Sequence, residues 1–151
     1  MAPASLADTY FSIPELMRLA RGSYKRAIDA QYAARGLDDV PPPGGYLISY
    51  LASGEESIPE MIEGLGIRKR QYNEFVDSLV LRGYITRDID PDSGSTSFAL
   101  TERGRAAAEA ILAGMRIVDE ELERRLSRAE MAGLRRGLIA LAEIKQSLPS
   151  Q

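Results

Sequence analysis

The chain has 151 residues, 44% of them hydrophobic and 27% charged, the composition of an ordinary globular protein with one core, with or without an oligomerisation arm. It contains no cysteine and no histidine. That excludes disulfides, thiol redox sensing, zinc–thiolate and imidazole metal sites, and histidine-based catalytic triads within it.

Helix starts are marked clearly. Ser12-Ile-Pro-Glu15 and Ser57-Ile-Pro-Glu60 are S-x-x-E capping boxes with a proline tolerated in the first turn, and Ser127-Arg-Ala-Glu130 is a third capping box. The spacing of Met17, Ala20, Tyr24 and Ile28 predicts a first helix from about Ile13 to about Arg35, ended by Gly36. Leu37 to Gly45 reads as a connector, stiff through Pro41-Pro42-Pro43 and then loose. A short apolar helix is expected from Tyr46 to about Ala52, with Leu47 and Leu51 on one face and Tyr46 and Tyr50 at i,i+4 spacing.

A short helix over PEMIEGLG follows from Ser57, closed by Gly64 and Gly66. The next helix, Arg68 to Arg82, carries Tyr72, Phe75, Val76 and Leu79 as a core-facing stripe and stops at Gly83. Ile85 to Ile89 reads as a strand, Asp90 to Gly94 as turn residues, and alternating Thr96, Phe98 and Leu100 as a half-buried return strand. Two short helices, a tight turn and a hairpin make a helix-turn-helix with an appended wing.

After Thr101, a helix N-cap by its chemistry, a long helix is expected to reach Leu126, about 37 Å at about 1.5 Å per residue. A second amphipathic helix then places Met131, Leu134, Leu138 and Leu141 in register. Long terminal helices with apolar faces need a partner, and a second copy of the chain is preferred over the alternative, an intramolecular helical pair covering the core. The expected interface residues are Leu16, Met17, Leu122, Leu126, Met131, Leu134, Leu138 and Leu141. The fold expected is therefore mainly α with a small β-hairpin wing. Its parts are an N-terminal helix and connector (1–45), a winged helix-turn-helix (46–104) and a C-terminal helical dimerisation region (105–151).

The net charge of −3 argues at first against a nucleic-acid partner, but its distribution argues for one. Residues 1–66 carry a net −4, residues 67–87 a net +3, and residues 88–151 a net −2. The basic block coincides with the helix that resembles a recognition helix. Once its buried stripe is removed, Lys69, Arg70 and Asn73 share the outward face of the first turns, with Arg68 and Gln71 at the margins and Glu74 and Asp77 farther along. Arg suits guanine O6 and N7, Asn suits adenine N6 and N7, and a recognition helix enters the groove by its N-terminal residues. Glu74 either accepts from a cytosine amino group or steadies Arg70 at i,i+4 spacing, the second being favoured.

Glycine-rich phosphate-binding signatures are missing, as are the usual catalytic groups, so no enzyme, cofactor or metal is expected. No apolar run approaches the roughly 20 residues of a membrane span. The stretch MAPASLADTYFSIPEL lacks the pattern of a signal peptide, so a cytoplasmic location is expected. Asp88, Asp90 and Asp92 have the 1,3,5 spacing of a calcium loop. Against that, the glycine is one residue late at Gly94, Ala99 stands where the loop needs glutamate, and Pro91 and a flanking strand fit badly.

The block from Pro59 to Arg87, the Asp90-Pro91-Asp92 turn and the LTERG motif at Leu100 to Gly104 together resemble the MarR family of bacterial winged helix-turn-helix regulators. The resemblance extends along the whole chain, since that family also has a leading helix and a closing helical pair. It implies a homodimeric transcriptional regulator, in most cases a repressor, bound to double-stranded DNA at a palindromic operator. The helix from Arg68 would lie in the major groove and the hairpin tip would reach the flanking minor groove. Many members release DNA when a small aromatic or phenolic effector binds. By that resemblance Tyr24, Tyr46 and Tyr50 are the pocket residues to examine.

The sequence departs from the family pattern in three places. The wing's usual D-x-R arginine is Gly94, with Ser93 where another arginine is common. Arg68 replaces a small hydroxyl residue at the start of the recognition helix, and Glu74 replaces a basic residue within it. These changes imply an altered grip, with Arg68, Lys69, Arg70, Gln71 and Asn73 carrying DNA binding. Arg87, Ser93, Ser95 and Thr96 add donors from the hairpin. A winged-helix protein-interaction module with weak or lost DNA binding is the alternative, and the acidic wing is the feature in its favour.

Overall fold

The computed structural model of the chain describes residues 10–42, 44–54, 62 and 66–149. The described elements are α1 (Ile13–Ala34), α2 (Gly44–Ala52), α3 (Lys69–Leu81), β1 (Ile85–Ile89), β2 (Thr96–Leu100), α4 (Glu102–Arg125) and α5 (Arg128–Ser147). The helix expected over PEMIEGLG lies outside the described residues, apart from Gly66 and from Ile62, whose carbonyl accepts from the Ile67 N–H at 3.3 Å. The chain forms two compact units, Met1–Met115 and Arg116–Gln151.

The core of the first unit is built from Leu37, Leu47, Ile48, Tyr72, Phe75, Val76, Leu79, Tyr84, Ile85, Ala107, Ala108 and Ile111. The four-residue stripe expected on the second helix-turn-helix helix is the buried face of α3, with Leu79 fully enclosed. Fully burying side chains of this size contributes about 1.5–3 kcal/mol each, so this stripe fixes which side of α3 faces outward.

Two of the helix exits that the sequence marks with glycine, at Gly36 and Gly83, are Schellman turns. At the end of α1, Gly36 adopts φ +67, its N–H reaches the Ala33 carbonyl, and the Leu37 N–H reaches Tyr32 at 2.9 Å. At the end of α3, Gly83 adopts φ +77, its N–H reaches Val80, and the Tyr84 N–H reaches Leu79 at 2.9 Å. This geometry needs a left-handed residue at the turn, which only glycine adopts readily. It also delivers apolar Leu37 and Tyr84 into the core.

One boundary differs from the expectation. The segment around Gly44 and Gly45 is not loose: α2 begins at Gly44, whose N–H donates to the Pro41 carbonyl at 2.7 Å. Gly44 is buried, and a Cβ there would come within 2.9 Å of the Leu79 side chain. Glycine is needed at this point for close approach of α2 to α3, a demand that local sequence does not show.

β1 and β2 pair antiparallel, with Ile85 opposite Leu100 and Ile89 opposite Thr96. The hairpin is anchored at its base, for Ile85 is buried and the rest of β1 is exposed. On the return strand Phe98 and Leu100 are half-buried as expected, whereas Thr96 is exposed. In the first unit α4 presents Gly104, Ala107, Ala108, Ala110, Ile111 and Gly114 as its buried side. A Cβ at Gly114 would lie 2.7 Å from the backbone of Ile28, so this glycine lets α4 cross α1 at backbone distance. In the second unit α5 has no buried residue.

Candidate nucleic-acid interface

The outward face of α3 begins at Arg68, which is extended (φ −68, ψ 143) and makes no side-chain cap bond. Lys69, Arg70, Gln71 and Asn73 follow on the helix, all exposed. Arg70 is 90% exposed, and its Nε donates to Glu74 Oε1 at 3.1 Å. That is the i,i+4 pair favoured from the sequence. Such a pair contributes little to stability, of order 0.3–0.5 kcal/mol. Gln71 is turned toward a groove that it lines with Pro41, Ile67, Glu74, Phe75 and Ser78. No acidic residue lies in the first turn of α3. The helix therefore offers unsatisfied backbone N–H groups, the positive end of its macrodipole and three consecutive basic side chains in one place. This combination attracts phosphate.

The hairpin tip is organised by its own polar groups. The Asp90 carboxylate accepts from the Asp92 N–H at 2.9 Å, the Asp90 N–H donates to the Ser95 carbonyl, and the Gly94 N–H donates to the Asp90 carbonyl. The bond from the Asp92 N–H, followed by that from Ser93, holds the Asp90 carboxyl below the usual carboxylate range. The aspartate is thus occupied as an Asx-turn acceptor. Among the described residues no group of three or more acidic side chains is arranged to hold a metal ion. Gly94 has φ +70, so an arginine at this position would be strained. Ser93 and Ser95 are joined by a hydroxyl–hydroxyl bond of 2.8 Å, and with Thr96 they are exposed at the tip.

Arg87, midway along β1, is engaged within the protein. Its Nη2 donates to Asp77 Oδ1 on α3, and its guanidinium carbon lies 5.9 Å from the centroid of the Phe98 ring. Asp77 is therefore not a free acid on the helix face.

The sequence reading missed a cluster behind the hairpin base. The Tyr84 hydroxyl donates to Asp39 Oδ1, and Arg103 Nη2 donates to the same oxygen at 2.8 Å and to the Tyr84 hydroxyl at 3.2 Å. Arg103 also stacks on the Tyr84 ring at 4.8 Å, and the Arg82 side chain donates to the Asp39 carbonyl. The Tyr84 hydroxyl, followed by Arg103, holds the Asp39 carboxyl below its ordinary range. Burial and then the Asp39 bond push the Tyr84 phenol up to about 12. The α1–α2 connector is thereby tied to the hinge between α3 and the wing. Nothing in the spacing joins Asp39 to Tyr84, 45 residues apart, although Arg103 lies within the LTERG motif.

That motif is now legible position by position. The Thr101 hydroxyl accepts from the Gly104 N–H at 3.0 Å and donates to the Gly83 and Tyr84 carbonyls, so it caps α4 and closes the hairpin base together. A Cβ at Gly104 would fall 2.0 Å from the Tyr84 carbonyl oxygen.

The three tyrosines named for an effector pocket lie on α1 and α2, with Tyr24 and Tyr50 half-buried and Tyr46 exposed. None of them lines the groove beside Gln71. Of the residues named for a dimer interface, Leu16 and Met17 in the first unit and Leu134, Leu138 and Leu141 in the second are exposed apolar side chains. Leu122, Leu126 and Met131 are half-buried. No described helix is long and apolar enough to cross a membrane.

No family model matches the chain, and no curated protein sequence matches it. Solved structures do. A Staphylococcus aureus MepR–DNA complex aligns with a TM-score of 0.71 at 19% identity, over 92% of this chain and all of that one (100%). A MarR family transcription regulator, SP03579, aligns at 0.71 and 18%, over 89% of this chain and 86% of that one. Streptococcus pneumoniae FabT in complex with DNA aligns at 0.69 and 18%, over 88% and 96%. MepR is matched also in a form bound to ethidium bromide, at 0.54 and 18%, over 88% and 96%. The chain has the winged helix-turn-helix fold of the MarR-type regulators, mainly helical with one antiparallel hairpin as the wing.

Proposed function

We propose that the chain is a homodimeric, sequence-specific DNA-binding transcriptional regulator, a repressor in its simplest form, and not an enzyme. The observation that carries this reading is the start of α3. Lys69, Arg70 and Asn73 are exposed there on a helix whose opposite side is locked into the core by Tyr72, Phe75, Val76 and Leu79. In this reading Arg68 and Lys69 neutralise phosphates, while Arg70 and Asn73 reach base edges in the major groove. Ser93, Ser95 and Thr96 offer donors to the backbone from the wing. The DNA complexes of MepR and FabT, which share the fold, support the assignment.

Dimerisation through residues 1–45 and 105–151 is supported by the apolar side chains left exposed on α1 and α5. A palindromic operator follows from two-fold symmetry. Release by a small aromatic ligand near Tyr24, Tyr46 and Tyr50 is supported by the ethidium-bound form of MepR. An interaction module without DNA binding is the second reading, favoured by one feature. Between Asp88 and Phe98 the wing carries three aspartates and no lysine or arginine.

Random-oligonucleotide selection with the purified chain, followed by gel-shift titration of the recovered duplex, tests both readings. Recovery of a palindrome, with binding weakened at least about tenfold by Arg70→Ala and falling steeply with salt, is the expected result. Equal binding by wild type and variant with no salt dependence would exclude the DNA reading and leave the interaction module.

A further inference from the structure

Arg87 stands in the sequence where a wing residue would reach for DNA, but its guanidinium is directed at α3. It bridges α3 and the hairpin, whose apolar packing on the core comes from Ile85, Leu100 and the half-buried Phe98. Nη2 donates to Asp77 on the outer side of α3, and the guanidinium lies 5.9 Å from the centroid of the ring of Phe98, the residue opposite Arg87 in the hairpin. Tyr72, on the buried stripe of α3, also feels its charge, which acts against the rise in the phenol pKa caused by burial. Beyond Ile85 every residue of β1 is exposed, so no buried apolar contact from this strand fixes the angle of the hairpin past that point.

We infer that Arg87 is a positioning residue, a strut that sets the wing against the recognition helix through Asp77 and Phe98, rather than a phosphate contact. This rests on the DNA-binding reading above and sharpens it. Helix and wing address neighbouring grooves of one duplex, so the angle between them decides whether both engage together. A partly exposed pair of this kind adds little to global stability, and its effect is on geometry. The guanidinium over the Phe98 ring keeps the pair directional, which an ammonium could not do as well.

The strut and the phosphate contact predict opposite signs at Asp77. If Arg87 gripped phosphate and Asp77 competed for it, Asp77→Asn would free the arginine, remove a negative charge and tighten binding. If Arg87 is a strut, the same change weakens binding although the protein becomes less acidic.

The test measures Asp77→Asn, Arg87→Gln and the exchanged pair Asp77→Arg with Arg87→Asp on the duplex recovered by selection, across a salt series. Amide hydrogen exchange of β1 and β2 is followed in parallel on the free protein. Expected are about threefold to tenfold weaker binding for both single variants, the salt slope of wild type retained in Arg87→Gln, and faster exchange in the hairpin. The exchanged pair should recover hairpin protection and part of the affinity. Tighter binding by Asp77→Asn, or a salt slope lower by about one in Arg87→Gln, would overturn the proposal, as would unchanged exchange in both single variants. If selection returned no duplex, the DNA reading would fall. Hydrogen exchange alone would then decide the strut, with faster exchange supporting it and unchanged exchange excluding it.

Discussion

The start of α3 and the starts of α1, α4 and α5 are built on opposite principles. At α1 the Ser12 N–H donates to the Glu15 carboxylate at 2.9 Å. At α5 Ser127 and Glu130 exchange bonds of 2.7 and 3.2 Å, and at α4 the Thr101 hydroxyl receives the Gly104 N–H. Each cap satisfies an orphan donor and contributes about 1 kcal/mol. At α3 Arg68 supplies no cap, no acid occupies the first turn, and Lys69 and Arg70 set positive charge against the positive end of the macrodipole. Each such charge costs about 0.3–1 kcal/mol. A sequence selected for folding alone has no reason to place three basic residues there. The contrast places the proposed DNA-binding end of α3 where the chain forgoes stability.

The largest effect comes from breaking the capped side of this comparison. Gly104→Ala places a methyl group 2.0 Å from the Tyr84 carbonyl oxygen and 3.1 Å from the Leu100 side chain. Neither can yield without moving the hairpin base, where the Thr101 hydroxyl is bonded to the same carbonyl. Loss of about 3 kcal/mol or more is expected from urea unfolding, since overpacking against backbone is poorly relieved. A variant as stable as wild type would show that α4 and the wing are not locked together.

A cap installed on α3 sharpens the comparison. Arg68→Asp gives the helix a residue that accepts from its free N–H groups and complements its dipole. The free protein should gain about 1 kcal/mol by thermal or urea unfolding. DNA affinity should fall by at least about tenfold, because a cation beside phosphate becomes an anion. A variant improved in stability and unchanged in DNA binding would remove Arg68 from the interface.

The connector side of the hinge has a pH signature. Because the Tyr84 hydroxyl, followed by Arg103, lowers the Asp39 carboxyl in the folded chain, the folded state binds fewer protons there than the unfolded state. Its contribution is present above the ordinary carboxylate range and is lost as pH falls through the lower folded value. Asp39→Asn should therefore melt below wild type at pH 7, and the gap should close as both are acidified below about pH 4. A gap independent of pH would mean that the ionised carboxylate is not what ties the connector to the wing.

The sequence was most informative where chemistry is local. The caps at Ser12, Thr101 and Ser127, the glycine turns at Gly36 and Gly83, the stripe on α3 and the Arg70–Glu74 pair all lie within a few residues of their partners. The misses are long-range. Gly44 has no room for a Cβ because Leu79 packs against it, and Asp39 meets Tyr84 and Arg103 only once the chain has folded. Position in the strand groups Arg87 with the hairpin donors and says nothing of its contact with α3. Its partner Asp77 lies 10 residues earlier, across a turn whose angle the sequence does not state.

The smallest effect concerns the buried face of α3 and separates its folding role from its outer charge. The Tyr72 hydroxyl is buried and has no hydrogen-bond partner among the described residues, while its ring meets Phe75 edge-on at 5.2 Å. Removing an unsatisfied polar group relieves a desolvation penalty of about 1–3 kcal/mol, offset by whatever water the site admits. Tyr72→Phe should therefore leave stability at pH 7 unchanged or raise it by up to about 1 kcal/mol. Burial raises the folded Tyr72 pKa, so above about pH 10 the unfolded chain releases the proton first and wild type loses stability. The variant should lose less stability over that alkaline range, although Tyr32 and Tyr84, both pushed up to about 12, keep part of the slope. Unfolding curves at pH 7 and pH 11 decide it. A variant less stable at both would show that the hydroxyl has a partner, and that the inner face of α3 is held by more than its apolar stripe.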